Sequence, residues 1–200
     1  MANKIKNDLR IDKRIRAVFG EIEFDSVTSS SGNTREEILA EQETEEALQG
    51  KAVMEMINNS PHYKEAVPET GLVTSTKEFI SEPDKNIIKI QYIRPDTDEE
   101  LPCVYYIHGG GMMVSSCFDE LYAAWGRCIA RQGVAVAMVD FRNAMWPSSA
   151  PEIEPFPAGL NDCVSGLKWV HANAKELNLS LIHISEPTRR RGISVCVLWV

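Results

Sequence analysis

The sequence predicts an α/β fold in which a mostly parallel sheet is flanked by helices and preceded by a helical N-terminal region. Two observations carry that expectation. The runs "PCVYYI" and "VAVAMVDF" are almost wholly apolar, as strands covered on both faces must be. Each is followed by an amphipathic helical pattern, and alternating strands and helices make a parallel sheet with crossover helices. With 44% hydrophobic and 25% charged positions, 200 residues can bury one sizeable core, so a single globular body is the default.

Taken in order, residues 1–71 read as a helical region. Across 34–59, Ile38, Leu39, Leu48, Val53, Met54 and Ile57 recur among acidic and amide residues, which predicts one or two helices with a break at Gly50. Thr34 and Glu37 have the spacing of a helix-opening capping box. Residues 60–71, with Pro61, Pro68 and Gly71, read as loop. The core, 72–180, opens with the strand-like runs "STKEFIS" and "NIIKIQYIRP", the second placing Ile88, Ile90 and Tyr92 on one face, joined by the turn "EPDKN". "PCVYYI" follows, then a helical pattern over 118–132, a stop at Gly133, the strand "VAVAMVDF", and a second helical pattern over 157–178 with Pro157 in its first turn.

Charge and cysteine usage exclude several classes of function. A formal charge of -8 argues against sequence-independent binding to nucleic acid or to an anionic membrane, both of which need clustered Lys and Arg. No run approaches the roughly 20 apolar residues of a membrane span, and the polar start lacks a secretory core, so a cytoplasmic protein is expected. Cys103, Cys117, Cys128, Cys163 and Cys196 are odd in number and never in C-x-x-C spacing, which predicts reduced thiols. His62, His108, His171 and His183 show no paired ligand spacing, so no metal is expected, and nothing in the sequence hints at a cofactor.

The stretch "YYIHGGGMMVSS" carries the chemistry. Gly109, Gly110 and Gly111 fall at the carboxyl end of a buried strand and just before a helix, where open α/β sheets gather their ligand loops. A phosphate loop would need a Lys after the glycines, and none follows. A simple turn and an oxyanion hole of bare backbone N–H groups both remain open on the glycines alone.

The surrounding residues extend the pattern. His108 with Gly109, Gly110 and Gly111 forms an HGGG run, and downstream come Val139-Asp140-Phe141-Arg142, Phe156-Pro157-Ala158, Asp162 and Trp169-Val170. This ordered set, covering about 87–179, resembles the hormone-sensitive-lipase-like esterases of the α/β-hydrolase fold. The resemblance implies a truncated α/β-hydrolase whose helical segment 34–59 caps the site. It implies a serine attacking a small ester substrate, activated by a histidine that an acid orients. Gly110 and Gly111 would supply two oxyanion N–H groups, with Gly109 shaping the loop and His108 orienting it. Met112 and Met113 would line an acyl pocket or fill the core. The family's L-A-P-E stretch is replaced here by "NAMWPSSAPEIE".

The nucleophile, acid and base are absent. No G-x-S-x-G occurs in the 200 residues, nothing in the sequence puts Ser115 or Ser116 on a strained elbow, His171 reads as surface polar, and Asp162 as a tie between helix and loop. The chain is therefore expected to be inactive as written. From 181 the run "LIHISEPTRRRG" resembles translated sequencing adapter, so 181–200 is expected to be a non-native tail. Loss of later strands should expose an apolar edge, expected on "VAVAMVDF", and favour aggregation. The alternative to a carboxylic ester hydrolase is a non-catalytic small-ligand binder of the same fold, or a pseudogene product.

Overall fold

The computed structural model describes residues 4–20, 32–180 and 196–199. The chain divides into two compact units, 1–54 and 55–200. The first contains α1 (Lys4–Asn7), α2 (Lys13–Phe19), α3 (Arg35–Glu41) and most of α4 (Glu45–Asn58). The capping box forms as the spacing predicts: Thr34 Oγ1 accepts from Glu37 N, and the Glu37 carboxylate accepts from Thr34 N. The expected break at Gly50 does not occur. The helices part at residues 42–44 instead, where the Thr44 hydroxyl accepts from Ala47 N and opens α4. A lone glycine costs a helix interior only about 1 kcal/mol, too little to end it when a cap sets the boundary elsewhere.

In the second unit a short helix, α5 (His62–Ala66), interrupts the expected loop 60–71. The sheet follows as β1 (Leu72–Ile80), β2 (Ile87–Pro95), β3 (Cys103–Ile107), β4 (Ala135–Asp140) and β5 (Cys196–Trp199), in the order β1-β2-β4-β3-β5. The α/β class holds, and within it the sheet is mixed. β3 pairs with β4 in parallel, and the β1/β2, β2/β4 and β3/β5 pairs are antiparallel. The short turn between β1 and β2 permits only an antiparallel pair, whereas the helix α6 (Glu120–Ala130) between β3 and β4 gives the length a parallel crossover needs. The last helix, α7 (Ala158–Ala172), ends six residues before the expected 178, and turns carry the chain to Leu179.

Alternation along β4 builds a core on each face of the sheet. Ala135, Ala137 and Val139 point into one cluster with Ile88, Ile90, Tyr92, Tyr105 and, from α7, Cys163 and Val170. Val136 and Met138 point into the other, with Ile93, Val104, Tyr106 and, from α6, Ala130. Two glycines let the helices lie close. A Cβ on Gly126 of α6 would fall 2.5 Å from Met138 Sδ, and one on Gly166 of α7 would fall within 3.0 Å of Phe79 and closer still to the Tyr105 hydroxyl. The polar ends of buried tyrosines find carbonyls: Tyr105 Oη donates to Cys163 O at 2.8 Å and Tyr92 Oη to Leu177 O at 2.8 Å.

The exposed-edge expectation needs correction. β4 is the middle strand, flanked by β2 and β3, because the crossover through α6 carries it back between them. The edge at issue belongs to β3, whose second side pairs with β5. Leu179 forms a parallel bridge to Leu101, and Ser180 N donates to Leu101 O at 2.9 Å, so the chain leaves α7 aimed along that same side of β3. The expected non-native tail lies outside the described residues except for β5.

Candidate functional site

β3 delivers His108 and the glycines to the carboxyl edge of the sheet. Gly110 and Gly111 have φ of 110° and 66°, a region that L side chains rarely adopt. A Cβ on Gly110 would also sit 2.2 Å from Val114 O, so a side chain is excluded there by contact as well as by torsion. Within the loop, Gly110 O accepts from Met113 N at 3.1 Å and Val114 N at 3.3 Å. The N–H groups of Gly110 and Gly111 donate to no partner among the described residues.

A second loop, 141–157, holds the first in place. Ala144 N donates to Met112 O at 3.0 Å, while Met145 N and Trp146 N both donate to Met113 O at 3.0 Å. Asn143, fully buried, donates through Nδ2 to Ser115 O at 2.6 Å. Asp140, at the end of β4, accepts from Ser116 Oγ at 2.7 Å, Cys117 N at 2.8 Å and Ser149 N at 2.7 Å. Met112 takes a left-handed backbone, φ 59°, and packs partly buried against the α7-side core, whereas the Met113 side chain is about half exposed.

His108 is buried, stacked on Phe141 at 4.3 Å between centroids with the rings nearly parallel, and 5.3 Å from the Tyr122 ring. Its Nδ1 lies 2.8 Å from Gly109 O; a carbonyl only accepts, so Nδ1 carries the hydrogen and Nε2 is the bare nitrogen. Burial is the main influence on the ring and lowers its pKa below the usual histidine value, against weaker opposing effects of Gly109 O, Asp140 and Asp119. Nε2 has no hydrogen-bond partner among the described residues and stands 3.9 Å from Asp140 Oδ1, beyond bonding distance.

These contacts do not make a substitute triad. Ser116 donates its proton to the Asp140 carboxylate rather than to a histidine, and His108 reaches neither. Ser115 has a left-handed backbone, φ 79°. It lies in the turn that closes the glycine loop, with its hydroxyl engaged by Tyr122 and its carbonyl by Asn143, so the torsion belongs to the turn. His171 is exposed in the last turn of α7.

Asp162 is fully buried and ties three segments together. It accepts from Ser81 Oγ at 2.6 Å, Arg142 N at 3.0 Å, Arg142 Nε at 2.9 Å and Arg142 Nη2 at 3.0 Å. Sequence reasoning missed the work of Asp140 and Asn143, although a carboxylate closing an otherwise apolar buried strand was a legible signal. Four cysteines, Cys103, Cys117, Cys128 and Cys163, are free thiols. No described helix is long and apolar enough to cross a membrane.

Comparison with known proteins adds to this geometry. The family described as BD-FAE matches residues 90–185. The chain is similar to the carboxylesterase NlhH of Mycobacterium tuberculosis, 36% identical over 86 residues that cover 43% of this chain and 24% of that protein. It is similar in structure to the esterase Est22, with a TM-score of 0.82 and 51% identity over 90% of this chain and 52% of the other. It is also similar to a brefeldin A esterase described as a bacterial homologue of human hormone-sensitive lipase, with a TM-score of 0.65, 25% identity, and coverage of 87% and 47%. The chain thus spans about a quarter of that curated relative and about half of the solved esterases.

Proposed function

The chain belongs to the α/β-hydrolase esterases, and from that premise we propose that the complete protein is a cytoplasmic carboxylic ester hydrolase acting through a serine triad on small esters. The observation that carries the reading is the pair of Gly110 and Gly111 N–H groups, which donate to no partner among the described residues, on a loop anchored at several points. Donors fixed before the substrate arrives stabilise developing charge on an acyl oxygen without having to reorganise during the reaction. Two further facts support it. Leu179 runs parallel to Leu101, in the direction that would bring a following strand to the carboxyl edge beside the glycine loop. The described cysteines are free, which suits a reducing compartment.

In this reading the nucleophile, base and acid lie beyond residue 180. A serine on a sharp turn after the next strand attacks the ester carbonyl, and Gly110 and Gly111 hold the oxyanion together with the N–H of the residue after that serine. His108, neutral and buried, keeps the loop's shape and takes no proton.

The test is to resequence the gene and transcript across Ser180 and assay the complete protein on p-nitrophenyl esters of short acids. A G-x-S-x-G turn after Leu179 and turnover abolished by Ser→Ala at that turn are expected. The same complete protein carrying Gly110→Ala should lose roughly 100- to 1000-fold in kcat. Confirmation of the arginine-rich tail in the gene, with no serine elbow, would overturn the proposal.

A further inference from the structure

We propose that Asp140 is a positioning residue for the oxyanion loop, an inference that rests on the esterase reading above. Its carboxylate is fully buried and joins two segments that no sheet ladder fixes. Oδ1 accepts from Ser116 Oγ and Cys117 N, which close the glycine loop, and Oδ2 accepts from Ser149 N in the loop that follows β4. Those same two loops meet again through Met112 O and Met113 O, which accept from Ala144, Met145 and Trp146. Met113 and Val114 in turn donate to Gly110 O, which sets the plane of the peptide carrying the Gly111 N–H.

The loops are therefore fastened by backbone at Met112 and Met113 and by two side chains, Asn143, which holds Ser115 O, and Asp140. Of the two side chains, only Asp140 binds both loops at once, and it stands on the last residue of the strand at the centre of the sheet. Removing it would leave the glycine torsions allowed and Ser115 O held by Asn143, but would free Ser116 Oγ and Cys117 N from the end of β4, so the donors could shift by up to about 1 Å. Misplacement of that order can cost catalysis about 100-fold without weakening ground-state binding.

The distinguishing change is Asp140→Asn. An amide keeps one acceptor oxygen and turns an NH2 group toward an N–H donor of the other loop, so one fastening fails while the volume is kept. In the complete protein, kcat on p-nitrophenyl butyrate should fall about 100-fold with KM changed less than twofold. Ser116→Ala, which removes only one of the three bonds, should lower kcat about threefold to tenfold and keeps the proposal testable if Asp140→Asn fails to fold. Equal losses in kcat and thermal stability with a raised KM, or an unchanged kcat, would overturn the proposal.

A second measurement separates this inference from the esterase reading. Amide exchange in the 200-residue chain should rise at Met113, Val114, Cys117 and Ser149 in Asp140→Asn, and stay unchanged in β4. Unchanged exchange at Met113 and Val114 would overturn the positioning role whether or not the complete protein hydrolyses esters.

Discussion

Asp162→Ala is the perturbation with the largest effect that the structure lets us work out. The carboxylate is fully buried, and the Arg142 side chain facing it is 4% exposed. Asp162 makes three hydrogen bonds to Arg142, and this pairing is the main reason the guanidinium pKa lies above its usual value. Removing one partner of a buried pair costs about 3–5 kcal/mol, since the other charge is left without water or counterion. Loss of the Ser81 bond adds about 1 kcal/mol. Asp84, about half exposed and 2.8 Å from Arg142 Nη2, offsets part of this. A net loss of about 3 kcal/mol is expected, which at a urea slope of about 2 kcal/mol/M moves the midpoint down by about 1.5 M. Trp169, stacked on Phe79 at 6.2 Å, is one of the four tryptophans whose fluorescence would follow the melt. The double variant Asp162→Ala/Arg142→Met should recover at least about 1 kcal/mol, because it removes the stranded charge. A single-variant loss below about 1 kcal/mol, or no coupling in the cycle, would refute the reasoning.

Three further outcomes are expected. His108 is neutral in the folded chain with a lowered pKa, while the unfolded chain takes up a proton near pH 6.5. Stability should hold above that pH, decline as pH falls from about 6.5 toward the folded pKa, and level off below it; His108→Asn should flatten that segment of a pH series of urea melts. Burial pushes the Cys103 thiol up to about 12 and Cys117 well above the usual range, so in native protein Cys128 should react first with a maleimide among Cys103, Cys117, Cys128 and Cys163, as mapped by peptide mass spectrometry. Deleting residues 181–200 removes the strand beside β3 and should raise light scattering at a given concentration; a monodisperse truncated monomer would count against an aggregation-prone β3 edge.

Much of the fold was legible in the sequence because its signals are local. The apolar runs fixed β3 and β4, Ile88, Ile90 and Tyr92 marked the inward face of β2, and Thr34 with Glu37 marked a helix start. The readings that failed depended on neighbours. Gly50 did not break α4 because the Thr44 cap sets the helix boundary, and the expected edge strand proved central because strand order is a property of the crossover and not of any one segment.

The site divides the same way. The residue string alone determined that bare backbone sits at Gly109, Gly110 and Gly111, that these 200 residues hold no serine elbow, and, through the ordered motifs that follow, which family the chain resembles. Only the tertiary structure decided what holds the glycines in place. Asp140 lies 24 residues from Ser116 and Asn143 lies 28 from Ser115, yet each pair forms one hydrogen bond. Side-chain hydrogen bonds across such separations exist only after β3 and β4 have paired and brought their carboxyl ends together, and no periodicity in the chain encodes them.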